Sequence, residues 1–384
     1  MWRRRVVVYS VLPREQSTGP GPIVAALLCL LGLAVNCVII GPGALKSAYQ
    51  GQNDFRQFYV GGKLAGSGKL YNLDRVLAVQ REALGESNAR LVPGRLPFYY
   101  AALAPLGRLP YKLALLLWTV STILATVLFV WLSPQAGRAQ LAIACCWSLP
   151  LVFSTAIGQD AGFVLLILGI TLRTLDAEKP LLAGLILSLC LIKFHLFLLL
   201  PLLLLGKREW RLTAGFSIGA GALLLASFAA GWDWPRDYVA LNLHAVSEDP
   251  RLMPTLHGLA AHFPGSDVVE FILSVVVIGL VWGIVRRAEF EAALAATLLG
   301  GLLLTRHAYM QDCGILVGSL VILFQRPGNA VVHYCALLLL LPVPYVLFFM
   351  QGGATSAALF VLLLGAMAGS CFKNGLRPVS EPGT

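Results

Sequence analysis

The sequence predicts an all-α, polytopic membrane protein with about twelve membrane segments. Three observations carry that expectation. Apolar residues make up 58% of the 384-residue chain, more than a soluble domain normally holds. Charged residues, 12% of the total, cluster between apolar runs. The runs themselves recur at lengths near the ~20 residues that a helix needs to cross ~30 Å of hydrocarbon.

The first run, 23–45, follows Arg3-Arg4-Arg5. No small-residue cleavage site accompanies it and further runs follow, so it reads as an uncleaved span with a cytoplasmic N-terminus. The other continuous runs are 111–132, 139–157, 161–175, 212–231, 267–285, 289–305, 313–324, 330–350 and 355–372. Short basic connectors at Arg138, Arg173/Lys179, Lys207/Arg208/Arg211, Arg286/Arg287, Arg326 and Lys373/Arg377 are assigned to the cytoplasm by the positive-inside rule. The long loops 46–110 and 232–266 then face outward, and the tail 373–384 is cytoplasmic. The expectation is one integral domain, 1–384, in the plasma (inner) membrane, with both termini inside.

The run 181–205 needs separate treatment because it contains Lys193-Phe194-His195. A cation at the centre of a membrane helix costs roughly 2.5–3.5 kcal/mol on insertion scales. Lys179 and Lys207 are both assigned inside, so the run must go out and return. The arm 181–192 covers only ~18 Å as a helix, short of the hydrocarbon thickness. Two short helices meeting near Lys193 are therefore expected. One long tilted helix, with Lys193 buried or snorkelling, is the alternative.

The net charge of +10 flanks apolar spans and forms no continuous stripe, so it points to topology and anionic headgroups rather than nucleic acid. All eight cysteines lie in apolar segments, without metal-ligand spacing or a disulfide framework. No dinucleotide fingerprint, phosphate-binding loop or zinc motif is present.

With this orientation, the polar residues too costly for mere structure gather on the outer side. They are Asn53-Asp54-Phe55-Arg56, Gln159-Asp160, Lys193, His195, Arg306-His307-Ala308-Tyr309 and Asp312, with Asp233, Asp237, His244, His257 and His262 in loop 232–266. Loop 46–110 carries two elements expected at the interface. Gln57–Ser67 is amphipathic, weakened as a helix by Gly61-Gly62, and the proline-rich Leu96–Pro110 reads as re-entrant or interfacial. Loop 232–266 is expected to cover the site.

Asn53-Asp54-Phe55-Arg56-Gln57-Phe58-Tyr59-Val60-Gly61-Gly62 resembles the segment after the first span in the polyprenol-phosphate-sugar-dependent glycosyltransferases of family 87, in the GT-C superfamily. Leu70-Tyr71-Asn72, Pro105–Tyr111 with Trp118, and Gly158-Gln159 are similar to later family elements. So are Pro180–Gly184 followed by Lys193-x-His195, and Arg306-His307-Ala308-Tyr309-x-x-Asp312. Two departures stand out: a single proline at Pro97 where the family often has two, and Arg306 where proline is common.

The resemblance implies a GT-C fold and transfer of a sugar from a polyprenyl-phosphate donor to a hydroxyl of a lipid or glycan acceptor, on the extracytoplasmic face and with inversion. Mannose or another hexose, or a pentose, is the expected sugar. Asp54 matches the family's base, with helix capping as its alternative role. Lys193, His195 and Arg306 would face the donor phosphate, and His307 would assist the base or the phosphate clamp. Arg56, Tyr59, Gln159, Tyr309 and Asp312 would contact substrate. No carboxylate pair near Asp54 has metal-ligand spacing, so transfer is expected without metal or other cofactor. The competing class is a transporter or flippase of a lipid-linked anion, which broken helices around a cation also fit. The absence of an inverted hydropathy repeat and the gathering of polar groups at one rim favour transfer.

Overall fold

The computed structural model describes residues 20–375 except 51, 86–90, 135, 244–248 and 327–328. Arg3-Arg4-Arg5, His244 and all but the start of the 373–384 tail lie outside the described residues. The regular structure of the described residues is helical, with no strand among them.

In chain order, α1 (Pro22–Tyr49) leads into three short helices, α2 (Phe55–Leu64), α3 (Leu73–Leu84) and α4 (Pro97–Gly107). Then come α5 (Tyr111–Leu132), α6 (Arg138–Trp147), α7 (Leu149–Ala156), α8 (Ala161–Asp176), α9 (Pro180–Ser188), α10 (Leu200–Lys207) and α11 (Trp210–Ser227). Loop 232–266 contains α12 (Trp234–Leu243) and α13 (Leu256–Ala260). The C-terminal part holds α14 (Ser266–Arg287), α15 (Phe290–Leu304), α16 (Val317–Gln325), α17 (Ala330–Leu340), α18 (Val343–Gln351) and α19 (Ala354–Gly375).

Among the described residues, six helical stretches are long and apolar enough to cross a membrane, and a bent pair would make seven. The expected count of about twelve is not reached by length alone. The run 139–157 is two helices, α6 and α7, bent by 66°. Ser148 stands at the joint, its side chain accepting the Leu151 N–H, and Pro150 follows in the first turn of α7. The run 330–350 also divides, because Leu341 is extended ahead of Pro342. The short helix α15 is buried on nearly every residue and packs against α10, α14, α16 and α19. An element enclosed by protein need not match the bilayer thickness, and an apolar circumference is what enclosure requires. By contrast, α1, α5, α11 and α14 present rows of exposed Leu, Ile, Val and Phe, the surface that lipid covers.

In the run 181–205 the α-helix stops at Ser188. Residues Leu189–Phe197 wind more tightly as a 3-10 segment, and Lys193 leaves helical geometry altogether at φ −123°, ψ 46°. The helix resumes at Leu200. A continuous tilted α-helix is therefore not formed. Lys193 is fully buried, consistent with irregular backbone at membrane depth being tolerated where protein encloses it.

The segment after α1 builds, with α5, a second, smaller core that includes Phe55, Phe58, Tyr59, Tyr99, Tyr100 and Trp118. Here α2 packs tightly on α4. The Gly61-Gly62 pair that lowers helix propensity makes this approach possible. A Cβ on Gly61 would stand 2.1 Å from a Tyr100 ring carbon, and one on Gly62 2.7 Å from the Leu103 carbonyl oxygen. Overpacking of this kind costs about 1–3 kcal/mol. Gly61→Ala should therefore lower the thermal unfolding midpoint of the detergent-purified protein, and an unchanged midpoint would show that α2 and α4 can separate freely.

Candidate active site

The site is built around the Lys193 ammonium. Its Nζ lies 2.5 Å from Asp312 Oδ1 and 3.1 Å from Asp160 Oδ1, and 3.4 Å from Gln159 Oε1. A charge with no exposed surface is tolerable only when paired in this way. The 3-10 segment turns Lys193 inward. Asp312 comes from a second 3-10 turn, Met310–Leu316, where its Oδ2 also accepts the Tyr309 N–H at 3.0 Å.

Gln159 and Asp160 come from the turn between α7 and α8. Gly158 makes this turn at φ 77°, a conformation glycine adopts without strain. A Cβ there would also meet Phe55 Cβ at 2.6 Å. Trp118 Nε1 donates to the Gly158 carbonyl at 2.8 Å and holds the turn. Asp160 is fully buried. Its Oδ1 accepts from Arg95 Nη2 at 3.3 Å and its Oδ2 from the Tyr99 hydroxyl at 3.1 Å.

Asp54 completes the cluster. It immediately precedes α2, but its side chain makes no capping hydrogen bond, so the capping role is not the one it plays. Its backbone N–H donates to the Ile157 carbonyl at 2.9 Å, tying it to the same turn. Its Oδ2 accepts from Gln159 Nε2 at 2.7 Å and from Gln311 Nε2 at 3.4 Å. No ion pair reaches it among the described residues, and it keeps partial exposure. Burial pushes its carboxyl above the usual carboxylate range, and the like charge of Asp312 adds to this. The Gln159 hydrogen bond, Lys193 and Arg95 pull the other way.

The remaining expected residues separate into two groups. Arg306 and His307 are exposed at the rim. Arg306 grips Glu270 in a fork, with Nε to Oε1 at 2.9 Å and Nη2 to Oε2 at 3.2 Å. Glu270 also hydrogen-bonds His257 Nδ1 at 2.8 Å, so α13 of loop 232–266 is fastened to the rim. His307 stands edge-on to Tyr309, ring centroids 5.0 Å apart. His195 lies within electrostatic range of Lys193, Asp312, Arg95 and His307. Arg56 and Tyr59 are committed elsewhere: Arg56 Nη2 donates to the Gly85 carbonyl at 3.4 Å and the Tyr59 hydroxyl to the Leu109 carbonyl at 2.8 Å. Both are buried in the second core. Asp233, Asp237 and His262 are exposed.

A family model for Glycosyltransferase family 87 matches residues 97–308. The chain belongs to glycosyltransferase family 87. No curated protein and no solved structure matches it. Membership makes this a glycosyltransferase of the membrane, working between a sugar donor and an acceptor. The family 87 match includes Gln159, Asp160, Lys193, His195, Arg306 and His307; Asp54, Arg95 and Asp312 lie beyond its ends.

Four contributors to the geometry escaped the sequence reading. Arg95 lies in the connector between α3 and α4, where nothing in the sequence signals that a basic residue is buried. Gln311 is uncharged. Tyr99 sits in an aromatic run that explains itself by packing. Glu270 carried the clearest signal, an acid inside the apolar run 267–285. Among the described residues, no group of three His, Cys, Asp or Glu side chains is placed to hold a metal ion.

Removing the cation strands Asp312 in the interior and leaves Asp160 only Arg95, and breaking a buried pair costs about 3–5 kcal/mol. Lys193→Met should lower the thermal midpoint sharply, and adding Asp312→Asn should recover part of the loss. A midpoint that Lys193→Met leaves unchanged would mean that the cluster contributes nothing to stability.

Proposed function

We propose that the protein transfers a sugar, mannose or another hexose, from a polyprenyl-phosphate donor to a hydroxyl of a lipid or glycan acceptor, with Asp54 as the general base. The carrying observation is the contrast among three aspartates. Asp160 and Asp312 are buried against cations. Asp54 is bound by amides, is partly exposed, and has a raised proton affinity, the combination that suits a general base.

In the proposed step, Asp54 takes the acceptor proton while the acceptor oxygen attacks the anomeric carbon. The bond from that carbon to the phosphate oxygen breaks, and polyprenyl phosphate leaves. A single displacement inverts the configuration. The leaving phosphate needs a positive partner. Arg306 supports that part best, since its guanidinium is exposed and aimed by Glu270. His307 and Tyr309 stand beside it. Lys193 has no exposure and two carboxylate partners, which supports a place behind the base, with His195, rather than on the phosphate itself. The positive-inside pattern supports an extracytoplasmic site in the plasma membrane. The single polar rim supports transfer over transport by a flippase.

Asp54→Asn should lower transfer from a short-chain polyprenyl-phosphate sugar by about 10²–10⁴-fold, the usual worth of general-base catalysis. Normal turnover would remove Asp54 from the chemistry. Because a base must be ionised and the Asp54 carboxyl is raised, the wild-type rate should fall as pH drops through a value above the ordinary aspartate 3.8. Transfer in a chelator should equal the untreated rate; loss with rescue by a divalent ion would put a metal in the site.

A further inference from the structure

We infer that Gln159 is a positioning residue whose amide is oriented by the buried cations Arg95 and Lys193, and that through it Arg95 controls the aim and basicity of Asp54. The inference rests on the Asp54 reading above and concerns how that base is held.

An amide has one accepting and one donating end. Gln159 Oε1 receives Arg95 Nη2 and Lys193 Nζ, each at 3.4 Å, while Nε2 donates to Asp54 Oδ2 at 2.7 Å. Guanidinium and ammonium groups cannot accept a hydrogen bond, and a carboxylate cannot donate one. The reversed amide would press its NH₂ against two cations and its carbonyl against the carboxylate. The fixed charges therefore select one orientation of Gln159, and that orientation holds Asp54. Both amide bonds to Asp54 fall on Oδ2, so Oδ1 is the oxygen presented to an acceptor hydroxyl.

Arg95 is set in place before it meets this network. Its carbonyl accepts the Tyr71 hydroxyl at 2.7 Å and its N–H donates to the Tyr100 hydroxyl at 3.1 Å. Its guanidinium lies 5.7 Å from the Phe58 ring centroid, and the residue is buried. The second core built by α2, α3 and α4 thus delivers a cation to the back of Gln159. The charged groups that act on Asp54 are Arg95 from the entry to α4, Lys193 from the 3-10 segment and Asp312 from the turn at 310–316. Behind them, Asp160 from the α7–α8 turn pairs with Lys193, and His195 and His307 lie within electrostatic range of each other.

The test follows the Asp54 carboxyl directly, by infrared pH titration of the full-length chain in lipid nanodiscs, with Asp54→Asn identifying its band. Gln159→Leu removes the hydrogen bond that favours the ionised form, so the midpoint should rise by about one pH unit. Arg95→Met should raise it as well, and Arg95→Lys, which keeps the charge, should stay nearer the wild type. In transfer assays with a short-chain polyprenyl-phosphate sugar, Gln159→Leu should lower kcat about tenfold or more and leave the donor KM near its original value. An Asp54 midpoint unmoved in Gln159→Leu and in whichever Arg95 variant folds would overturn the inference while leaving Asp54 as base. Failure of the base itself would show separately, as transfer surviving in Asp54→Asn.

Discussion

An ammonium with no exposed surface is the constraint that organises this molecule. Lys193 can be buried in an apolar interior because carboxylates come to it from two other parts of the chain. The local geometry serves that meeting. The α-helix gives way to a 3-10 segment so that Lys193 faces inward, Gly158 reverses the chain so that Gln159 and Asp160 reach it, and the turn at 310–316 brings Asp312. Helix breaks that would weaken an isolated span are here what assembles the site.

Charge accounting then separates structure from chemistry. The cluster holds two cations, Arg95 and Lys193, against three aspartates. Asp160 and Asp312 have direct cation partners; Asp54 is the carboxylate left over. Its raised proton affinity follows first from burial, with Asp312 adding to it and the Gln159 hydrogen bond, Lys193 and Arg95 opposing it. The same buried pairs that stabilise the fold thus leave one carboxylate poised to accept a proton. At the rim, Glu270 does for Arg306 what the aspartates do for Lys193, but with the guanidinium still exposed.

Much of this was legible in the sequence, for identifiable reasons. Lys193 announced itself because a cation is expensive in an apolar run, and the break in the helix falls at that residue. Asp54, Gln159 and Asp312 belong to the family 87 resemblance, and they do meet. Arg95 could not be found the same way, because a connector sequence carries no mark of whether its arginine turns toward water or protein. Arg56 and Tyr59 share the motif of Asp54 but point into the second core, since adjacent helical positions face different neighbours. The number of spans is less legible, because hydropathy cannot distinguish a helix facing lipid from one enclosed by protein, as α15 is, and length alone identifies six or seven crossings among the described residues.

The most direct measurement compares the three aspartates one at a time, replacing each by asparagine and recording sugar transfer alongside thermal midpoint. If the buried pairs hold the site and the surplus carboxylate does the chemistry, Asp54→Asn loses turnover with its midpoint preserved, whereas Asp160→Asn and Asp312→Asn lower the midpoint. Full transfer by Asp54→Asn, or a midpoint that falls with Asp54 and not with the other two, would refute that division of labour.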